Sequence, residues 1–222
     1  MMNSPKIKIC CIQSLQEAQL AISYGASALG FVTDMPSGPG VLPEDQIAEI
    51  IAKVPPPIAT FLLTCSQEVE TIIRQQHYCR ANTLQLVDAI PQRAYAELRK
   101  SLPGIALVQV VHVTGTESLH EALALETYVD AILLDSGNPQ LAVKELGGTG
   151  RVHDWRISRE ICERLTVPVF LAGGLKPENV AQAVQQVQPF GLDVCSGVRS
   201  DGKLDEETLA AFVRHATHLR PF

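Results

Sequence analysis

Residues 167–198 read VPVFLAGGLKPENVAQAVQQVQPFGLDVCSGV, and this stretch contains the pattern that decides the fold. An apolar, β-rich run (167–172) leads through a glycine pair into a stretch with helical spacing (177–186), and a second β-rich run (191–196) follows. This strand–loop–helix–strand order is typical of a βαβ unit with two parallel strands. Because most β-rich runs of the chain are continuously apolar rather than alternating, we expect strands that are buried on both faces.

The same order recurs along the whole chain. We predict eight strands, at residues 6–10, 28–32, 58–63, 83–87, 106–113, 131–135, 167–172 and 191–196. Helical stretches separate them, near residues 14–24, 43–53, 66–77, 91–101, 116–126, 156–164, 177–186 and 205–217. Strict βα alternation is typical of either a doubly wound open sheet or a closed barrel. Eight units of roughly 28 residues favour the barrel, so we predict an α/β fold with a single (β/α)8 TIM barrel domain over residues 1–222.

Composition and charge exclude several classes of protein. The chain has 222 residues, of which 46% are hydrophobic, so it can bury a sizeable core. Eighteen Lys and Arg against 24 Asp and Glu give a net charge of −6, which disfavours a surface that binds nucleic acid. No run of about 18 apolar residues indicates a membrane span, and the N-terminus lacks a signal-peptide pattern. We therefore expect a cytoplasmic protein with neither a membrane nor a nucleic-acid partner.

The spacing of cysteines and histidines indicates neither a metal nor a redox cofactor. The six cysteines include no C-x-x-C pair, and without a secretion signal we expect most of them to be reduced. The six histidines form no ligand pair near a predicted strand end, and no G-x-G-x-x-G follows the first strand. We therefore expect no metal and no cofactor.

Polar residues at the predicted strand ends are the candidates for chemistry, because the active site of such a barrel lies at the C-terminal ends of its strands. Cys10 ends the first strand, and side-chain alternation places Lys8 on the same inward side, where an ammonium would lower the thiol pKa. Cys11 is expected to point outward as a packing residue. Asp135 ends the sixth strand facing inward, and Gln85 lies near the end of the fourth. Cys10 and Asp135 are thus expected to face each other across the barrel mouth.

Three glycine loops follow the last three predicted strands. A glycine-rich turn before a helix can present backbone N–H groups to an anion, and barrels of this kind often bind phosphate there. One loop alone is weak evidence, but three in the last third of the chain indicate a phosphorylated ligand. The candidate phosphate-binding residues are Gly148, Thr149, Gly150, Gly173, Gly174, Ser196 and Gly197.

Taken together, these motifs resemble the phosphoribosylanthranilate isomerases of tryptophan biosynthesis. The resemblance covers nearly the whole chain in one order, through KIC (8–10), YGASALGFV (24–32), LLD (133–135), GGTGRVHDW (147–155), LAGGLKPENV (171–180) and GLDVCSGV (191–198). It implies a cofactor-free Amadori rearrangement that converts an aminoaldose phosphate to the aminoketose. In this mechanism Asp135 matches the family's general acid and Cys10 matches its general base, while Asn179 matches a supporting position.

The chain departs from the family pattern at four positions around the expected aromatic end of the substrate. Cys11 stands where the family has Gly, Pro39 where it has the arginine that pairs with the anthranilate carboxylate, and Val87 where it has His. Arg199 stands where it favours Glu. We expect Arg199 either to replace the missing arginine or to serve another anionic group. Further possible substrate contacts are Lys8 and Gln85.

Three functions stay open at this point. The first is isomerisation of N-(5-phosphoribosyl)anthranilate, which retains the acid/base pair and the phosphate loops but lacks the arginine. The second is a divergent isomerase for another phosphorylated aminosugar, which explains the altered loops. The third is a non-catalytic protein that binds a phosphorylated ligand, which the retention of Cys10 and Asp135 disfavours. Each predicts a small phosphorylated ligand, and the chain is expected to be a monomer or a homodimer.

Overall fold

The computed structural model describes residues 4–36, 38–138, 140–141, 144–146 and 150–217 of the chain. Eight parallel strands close into a barrel in chain order. They are β1 (Lys6–Ile9), β2 (Ala28–Val32), β3 (Ala59–Thr64), β4 (Thr83–Leu86), β5 (Ala106–His112), β6 (Ala131–Asp135), β7 (Val169–Leu171) and β8 (Gly191–Val194). The predicted (β/α)8 barrel is therefore confirmed.

A helix follows each strand and packs on the outside of the barrel. The helices are α1 (Leu15–Ser23), α2 (Glu44–Ile51), α3 (Val69–Cys79), α4 (Gln92–Ser101), α5 (Glu117–Leu125), α6 (Trp155–Arg164), α7 (Val180–Val187) and α8 (Glu206–Thr217). No helix in the described part of the chain has both the length and the apolar character needed to span a bilayer.

The ring closes between the first and the last strand. Lys8 of β1 stands in register with Asp193 of β8, and the Lys8 Nζ lies 2.8 Å from the Asp193 Oδ1. The Lys8 side chain is fully buried, and its ammonium also lies 5.1 Å from the ring centroid of Phe61 inside the barrel. A charged pair is therefore built into the seam that completes the fold.

Two apolar layers follow from the alternation of side chains along the strands. Ile7 and Ile9 of β1 belong to the large layer between barrel and helices, as do Ile132 and Leu134 of β6. A smaller cluster fills the interior of the barrel. Inward-facing residues beyond this cluster, at the C-terminal ends of the strands, are thereby left beside an open pocket.

Two local features differ from the sequence pattern. Helix α7 begins at Val180 rather than near residue 177, because the Asn179 Oδ1 accepts from the Lys176 N–H at 2.9 Å and residues 176–179 form a turn before the helix. After β8 the chain forms a 3-10 helix, Ser196–Val198, and a hairpin of β9 (Arg199–Ser200) and β10 (Lys203–Leu204). Strands of two residues carry no periodicity that a sequence pattern would show.

Candidate active site

One pocket at the C-terminal ends of the strands collects most of the predicted site residues. Its lining includes Cys10, Gln85, Asp135, Gly150, Gly173, Gly174 and Ser196. Lys8, Gly197 and Arg199 do not line it. Gly148 and Thr149 lie outside the described residues, so their part in the predicted phosphate site stays a prediction.

Cys10 lies directly after β1, where its N–H donates to the Val194 carbonyl at 2.8 Å and fixes it against β8. The neighbouring Cys11 thiol is the largest influence on the pKa of Cys10 and lowers it. Burial and the Asp193 carboxylate oppose this shift, and the Lys8 ammonium supports it. The net direction is downward, which favours the thiolate that a proton-abstracting base requires.

Lys8 lies deeper in the barrel than Cys10 and acts through its charge. Burial alone would lower the pKa of Lys8, but the Asp193 carboxylate, with smaller contributions from the two thiols, raises it well above its usual range. The ammonium therefore stays charged below the pocket. Lys8 was predicted as a possible substrate contact, and the structure places it in an ion pair with Asp193 instead of in the pocket lining.

Asp135 ends β6 on the wall of the same pocket. Burial raises the pKa of its carboxyl, although the Ser136 N–H, which donates to Oδ1 at 2.6 Å, opposes the shift. A raised pKa keeps a proton on the carboxyl at higher pH than is usual for aspartate, as a general acid requires. Cys10 and Asp135 thus line the same pocket.

Cys11 does not point outward as the alternation predicted; it lines the pocket and belongs to the interior cluster. The prediction was wrong because β1 ends at Ile9, and alternation does not extend beyond the strand. Cys11 adopts a left-handed backbone conformation with φ +60°, which a residue with a side chain adopts at a cost of roughly 1–2 kcal/mol. The neighbouring thiols of Cys10 and Cys195, together with burial, raise the pKa of Cys11 well above the usual value.

One side of the pocket is apolar. Its wall is made by Val32, Met35, Leu63, Val87, Leu146 and Pro39. Among these, Pro39 and Val87 occupy positions where the resemblance led us to expect a guanidinium and an imidazole, so no charged group stands on this wall. Such a surface suits a flat aromatic group.

Gln85 is the one amide on the pocket wall, and it is 2% exposed. Its Oε1 has no hydrogen-bond partner among the described residues. An unpartnered buried carbonyl oxygen is costly, so a bound molecule with an N–H or O–H group would satisfy it. The contact predicted for Gln85 thus fits an acceptor that the fold leaves unused.

The opposite side of the pocket is formed by the glycine loops after β6, β7 and β8. Gly150, Gly173 and Gly174 all have positive φ. At Gly174 a side chain is excluded by space as well, since a Cβ would lie 2.6 Å from the Arg151 carbonyl carbon. The Asn179 Nδ2 donates to the Gly174 carbonyl at 2.9 Å, so the cap of α7 also holds this loop. Loops that turn their backbone towards a pocket in this way can offer N–H groups to a phosphate.

A second pocket adjoins the apolar wall and shares Met35 and Leu146 with the main pocket. Lys144 and Asp88 line it and form an ion pair. The Lys144 side chain is 40% exposed, so it is accessible from the pocket rim. This is a cation close to the apolar wall that the strand-end argument did not find, because residue 144 lies in the long loop after β6.

Arg199 lies beside the pocket, but its terminal nitrogens bind other protein groups. Nη1 and Nη2 donate to the two carboxylate oxygens of Glu17 at 2.9 and 3.0 Å. Nη2 also donates to the Cys11 carbonyl at 2.5 Å and the Cys10 carbonyl at 3.3 Å. The predicted direct contact of Arg199 with substrate stays a prediction. Glu17, which binds the Arg199 guanidinium, was not among the predicted site residues.

Among the described residues, no cluster of three or more His, Cys, Asp or Glu side chains is arranged to hold a metal ion. The chemistry that the described residues offer is proton transfer between a thiolate, a carboxyl group and a small molecule that spans the apolar wall and the glycine loops.

Comparison with known proteins agrees on one family. The model of N-(5'-phosphoribosyl)anthranilate (PRA) isomerase matches residues 7–215. The chain is 36% identical over 213 residues to N-(5'-phosphoribosyl)anthranilate isomerase 2 of Methanosarcina mazei, and the match covers 95% of this chain and 93% of the relative.

Solved structures give the same result. A phosphoribosyl anthranilate isomerase from Thermotoga maritima superposes with a TM-score of 0.82 at 30% identity, covering 96% of this chain and 98% of that one. A phosphoribosyl anthranilate isomerase in complex with reduced 1-(o-carboxyphenylamino)-1-deoxyribulose 5-phosphate superposes with a TM-score of 0.80 at 27% identity, with the same coverage.

Proposed function

This chain belongs to the N-(5'-phosphoribosyl)anthranilate isomerase family, and from that premise we propose that it isomerises N-(5'-phosphoribosyl)anthranilate to the corresponding aminoketose in tryptophan biosynthesis. The observation that carries the proposal is one pocket with three unlike parts. It combines an apolar wall, a thiol and carboxyl pair, and a set of glycine loops. These parts fit the aromatic ring, the reacting sugar carbons and the phosphate of this substrate, respectively.

The reaction needs one acid and one base, and the proposal assigns both. Asp135 gives its proton to the furanose ring oxygen, the bond from C1 to that oxygen breaks, and a Schiff base forms between C1 and the anthranilate nitrogen. The Cys10 thiolate then removes the proton from C2, and the electron pair moves to the nitrogen to give an enolamine. Tautomerisation of the enolamine gives the aminoketose. The lowered pKa of Cys10 and the raised pKa of Asp135 support these roles.

The phosphate is assigned to the glycine loops after β6, β7 and β8. Gly150, Gly173, Gly174 and Ser196 line this side of the pocket, and we extend the assignment to Gly148, Thr149 and Gly197. Backbone N–H groups recognise a phosphate without a long cationic side chain. The solved relative that holds a phosphorylated analogue supports the class of ligand.

The carboxylate on the anthranilate ring needs a separate partner, because Pro39 offers no charge. We assign this role to Lys144, which lines the second pocket next to the apolar wall and is paired with Asp88. A point charge shared with an aspartate holds a carboxylate less tightly than a bidentate arginine does. The proposal therefore includes a higher KM than an arginine at this place would give.

Turnover of freshly prepared phosphoribosylanthranilate by the purified protein tests the proposal. We expect Cys10→Ser and Asp135→Asn each to lower kcat/KM by about 100-fold or more, since each removes a group that transfers a proton. Matched controls are Cys162→Ser on α6 and Asp45→Asn on α2, neither of which lines the pocket. Both should keep wild-type turnover.

Absence of turnover in the wild-type protein would overturn the proposal. If a phosphorylated sugar still bound in that case, a different aminosugar substrate or a binding role without catalysis would be indicated. Turnover that survives in both Cys10→Ser and Asp135→Asn would leave the reaction standing but remove the assigned acid and base.

A further inference from the structure

The turn at Cys10–Cys11 is the unusual feature of the site. The Cys10 N–H is bonded to β8 and the Ile12 N–H donates to the Gly30 carbonyl of β2 at 3.0 Å, so the chain is fixed on both sides of Cys11. Between these two bonds Cys11 takes φ +60° with a side chain in place. Such a conformation persists only where neighbouring groups determine it.

Arg199 and Glu17 are two such neighbouring groups. The guanidinium donates to both carbonyls of the turn and is held by both oxygens of the Glu17 carboxylate. The side chains of Arg199 and Glu17 are 4% and 13% exposed. Glu17 in turn accepts from the Gln13 and Leu204 N–H groups, each at 3.0 Å. Arg199 and Glu17 together, which we call the clamp, therefore join the turn after β1 to the start of α1 and to the hairpin after β8.

The clamped turn places one thiol against another. With its carbonyl held by Arg199, Cys11 directs its side chain into the pocket, whose lining also includes Cys10 and Cys195. There is no free space behind the Cys10 sulfur, since a Cβ at Gly30 would lie 2.8 Å from it and 3.1 Å from the Lys8 Nζ. The mutual position of the two sulfurs thus depends on the backbone at Cys11.

The other charged and titratable groups around Cys10 come from four directions. They are Lys8 from β1, Asp193 from β8, Asp135 from β6 across the pocket, and Cys195 next to Cys11. Asp193 opposes the Cys10 thiolate and Lys8 supports it. The Cys11 thiol, whose own pKa is raised, is the neutral group in this set, and its presence lowers the pKa of Cys10.

We propose that Arg199, anchored by Glu17, is a positioning residue for Cys10: by donating to the carbonyls of Cys10 and Cys11 it fixes the left-handed turn at Cys11 and thereby holds the Cys11 thiol beside the Cys10 sulfur. Arg199 acts here through the backbone and through Cys11, so this role requires no contact with the substrate. The catalytic meaning of this arrangement rests on the proposed function, in which Cys10 is the base. The arrangement itself does not.

The test measures the Cys10 thiol without substrate. Iodoacetamide alkylation is followed against pH, and fragment masses separate modification at residue 10 from that at residue 11. We expect Arg199→Met and Cys11→Ala each to raise the apparent pKa of Cys10 and to slow its alkylation at pH 7 by about tenfold. Cys11→Ser, which keeps a donor, should retain most of the wild-type rate. The matched control is Arg159→Met on α6, which should leave it unchanged.

A double variant separates this role from simple packing. If Arg199 acts through Cys11, Arg199→Met in the Cys11→Ala background should add little to the shift. In turnover measurements, the plot of kcat/KM against pH has a limb that rises as Cys10 loses its proton. In Arg199→Met this limb should move to higher pH, while KM should stay nearly unchanged.

An unchanged Cys10 alkylation profile in both Arg199→Met and Cys11→Ala would overturn the proposal, and so would additive shifts in the double variant. If Arg199→Met does not fold, Cys11→Ala and Cys11→Ser still decide whether Cys11 is the donor, and Glu17→Gln, which keeps an acceptor, decides whether the clamp matters. Failure of the proposed function is distinguishable, because it would abolish wild-type turnover while leaving the alkylation result intact.

Discussion

At the scale of single residues, Gln85 has a buried side-chain oxygen with no hydrogen-bond partner among the described residues, and we expect a ligand to supply one. Gln85→Leu removes a buried acceptor without a partner, so we expect the free energy of unfolding to stay level or rise by about 1 kcal/mol. The same change should lower kcat/KM by about tenfold, because the substrate loses its hydrogen bond. Urea unfolding and steady-state kinetics measure the two effects.

Gln109→Leu is the matched control for Gln85→Leu. Gln109 is equally buried, but its Oε1 accepts from the Tyr95 hydroxyl at 2.8 Å and its amide donates to the Leu86 carbonyl at 3.1 Å. We expect this variant to be destabilised. A destabilised Gln85→Leu with normal kinetics would show that Gln85 is structural.

Lys144 is the residue that we expect to recognise the anthranilate carboxylate. Lys144→Ala should raise KM about tenfold and change kcat much less, because the contact exists both before and during the reaction. Steady-state kinetics with Lys53→Ala as the exposed control gives the comparison. An unchanged KM would place the carboxylate elsewhere.

The sequence predicts individual residues well where strand alternation applies and poorly beyond it. Cys10, Gln85 and Asp135 were placed on the pocket because each lies within or directly after a strand. Cys11 was placed on the wrong side because it follows the end of β1 in a left-handed turn. The partner of Arg199 lies 182 positions away in the sequence, and no local pattern shows such a contact.

At the scale of elements, the start of α6 contains a histidine that the fold keeps neutral. Burial lowers the pKa of His153 to about 4, and its Nε2 lies 2.6 Å from the Ser158 Oγ. The unfolded chain takes up this proton near pH 6.5, whereas the folded chain does so only near pH 4. Above pH 6.5 His153 is neutral in both states and does not change the free energy of unfolding. This free energy falls as the pH drops from 6.5 towards 4, because only the unfolded chain takes up the proton.

We expect the free energy of unfolding to fall by about 2–3 kcal/mol between pH 7 and pH 4.5 through His153. Urea titrations at several pH values should show a smaller fall in His153→Gln. His120→Gln, on the exposed face of α5, serves as the control. Equal pH dependence in wild type and His153→Gln would contradict this origin.

Element bounds agree with the sequence pattern to within about three residues wherever apolar runs are long. The difference reaches three residues at the starts of α3 and α7, and at α7 the side chain of Asn179 forms the turn that precedes the helix. The β9–β10 hairpin was not predicted at all. Caps and two-residue strands depend on single contacts, so periodicity cannot locate them.

At the scale of the whole molecule, the ion pair of Lys8 and Asp193 closes the barrel. Lys8→Met leaves Asp193 buried without its cation, and we expect a loss of about 3–5 kcal/mol in the free energy of unfolding. The double variant Lys8→Met/Asp193→Leu removes both charges and should recover most of that loss. Urea unfolding measures the free energy of unfolding of the single and the double variant. The comparison requires that the slope of this free energy against urea concentration is the same as in wild type. A single variant as stable as wild type would show that the pair contributes little to closure.

The number of βα units predicts closure of the barrel, but the contacts that seal it are not visible in the sequence. Local patterns define each unit, and eight of them favour a closed ring. The pairing of residue 8 with residue 193 depends on the register between β1 and β8, which is set only when the ring is complete.

The position of the Lys8–Asp193 ion pair also constrains which substitutions the protein can accept during evolution. The Lys8 ammonium joins the first strand to the last and also favours the Cys10 thiolate, so one residue affects both the stability of the barrel and the reactivity of the thiol. A lineage cannot change position 8 alone without risking both, and it reaches an uncharged seam only if two substitutions arrive together. Adaptation to a new substrate is therefore more accessible through the apolar wall and the long loop after β6. Residues 39 and 87 lie on that wall and residue 144 lies in that loop, and none of the three takes part in the ion pair that closes the barrel.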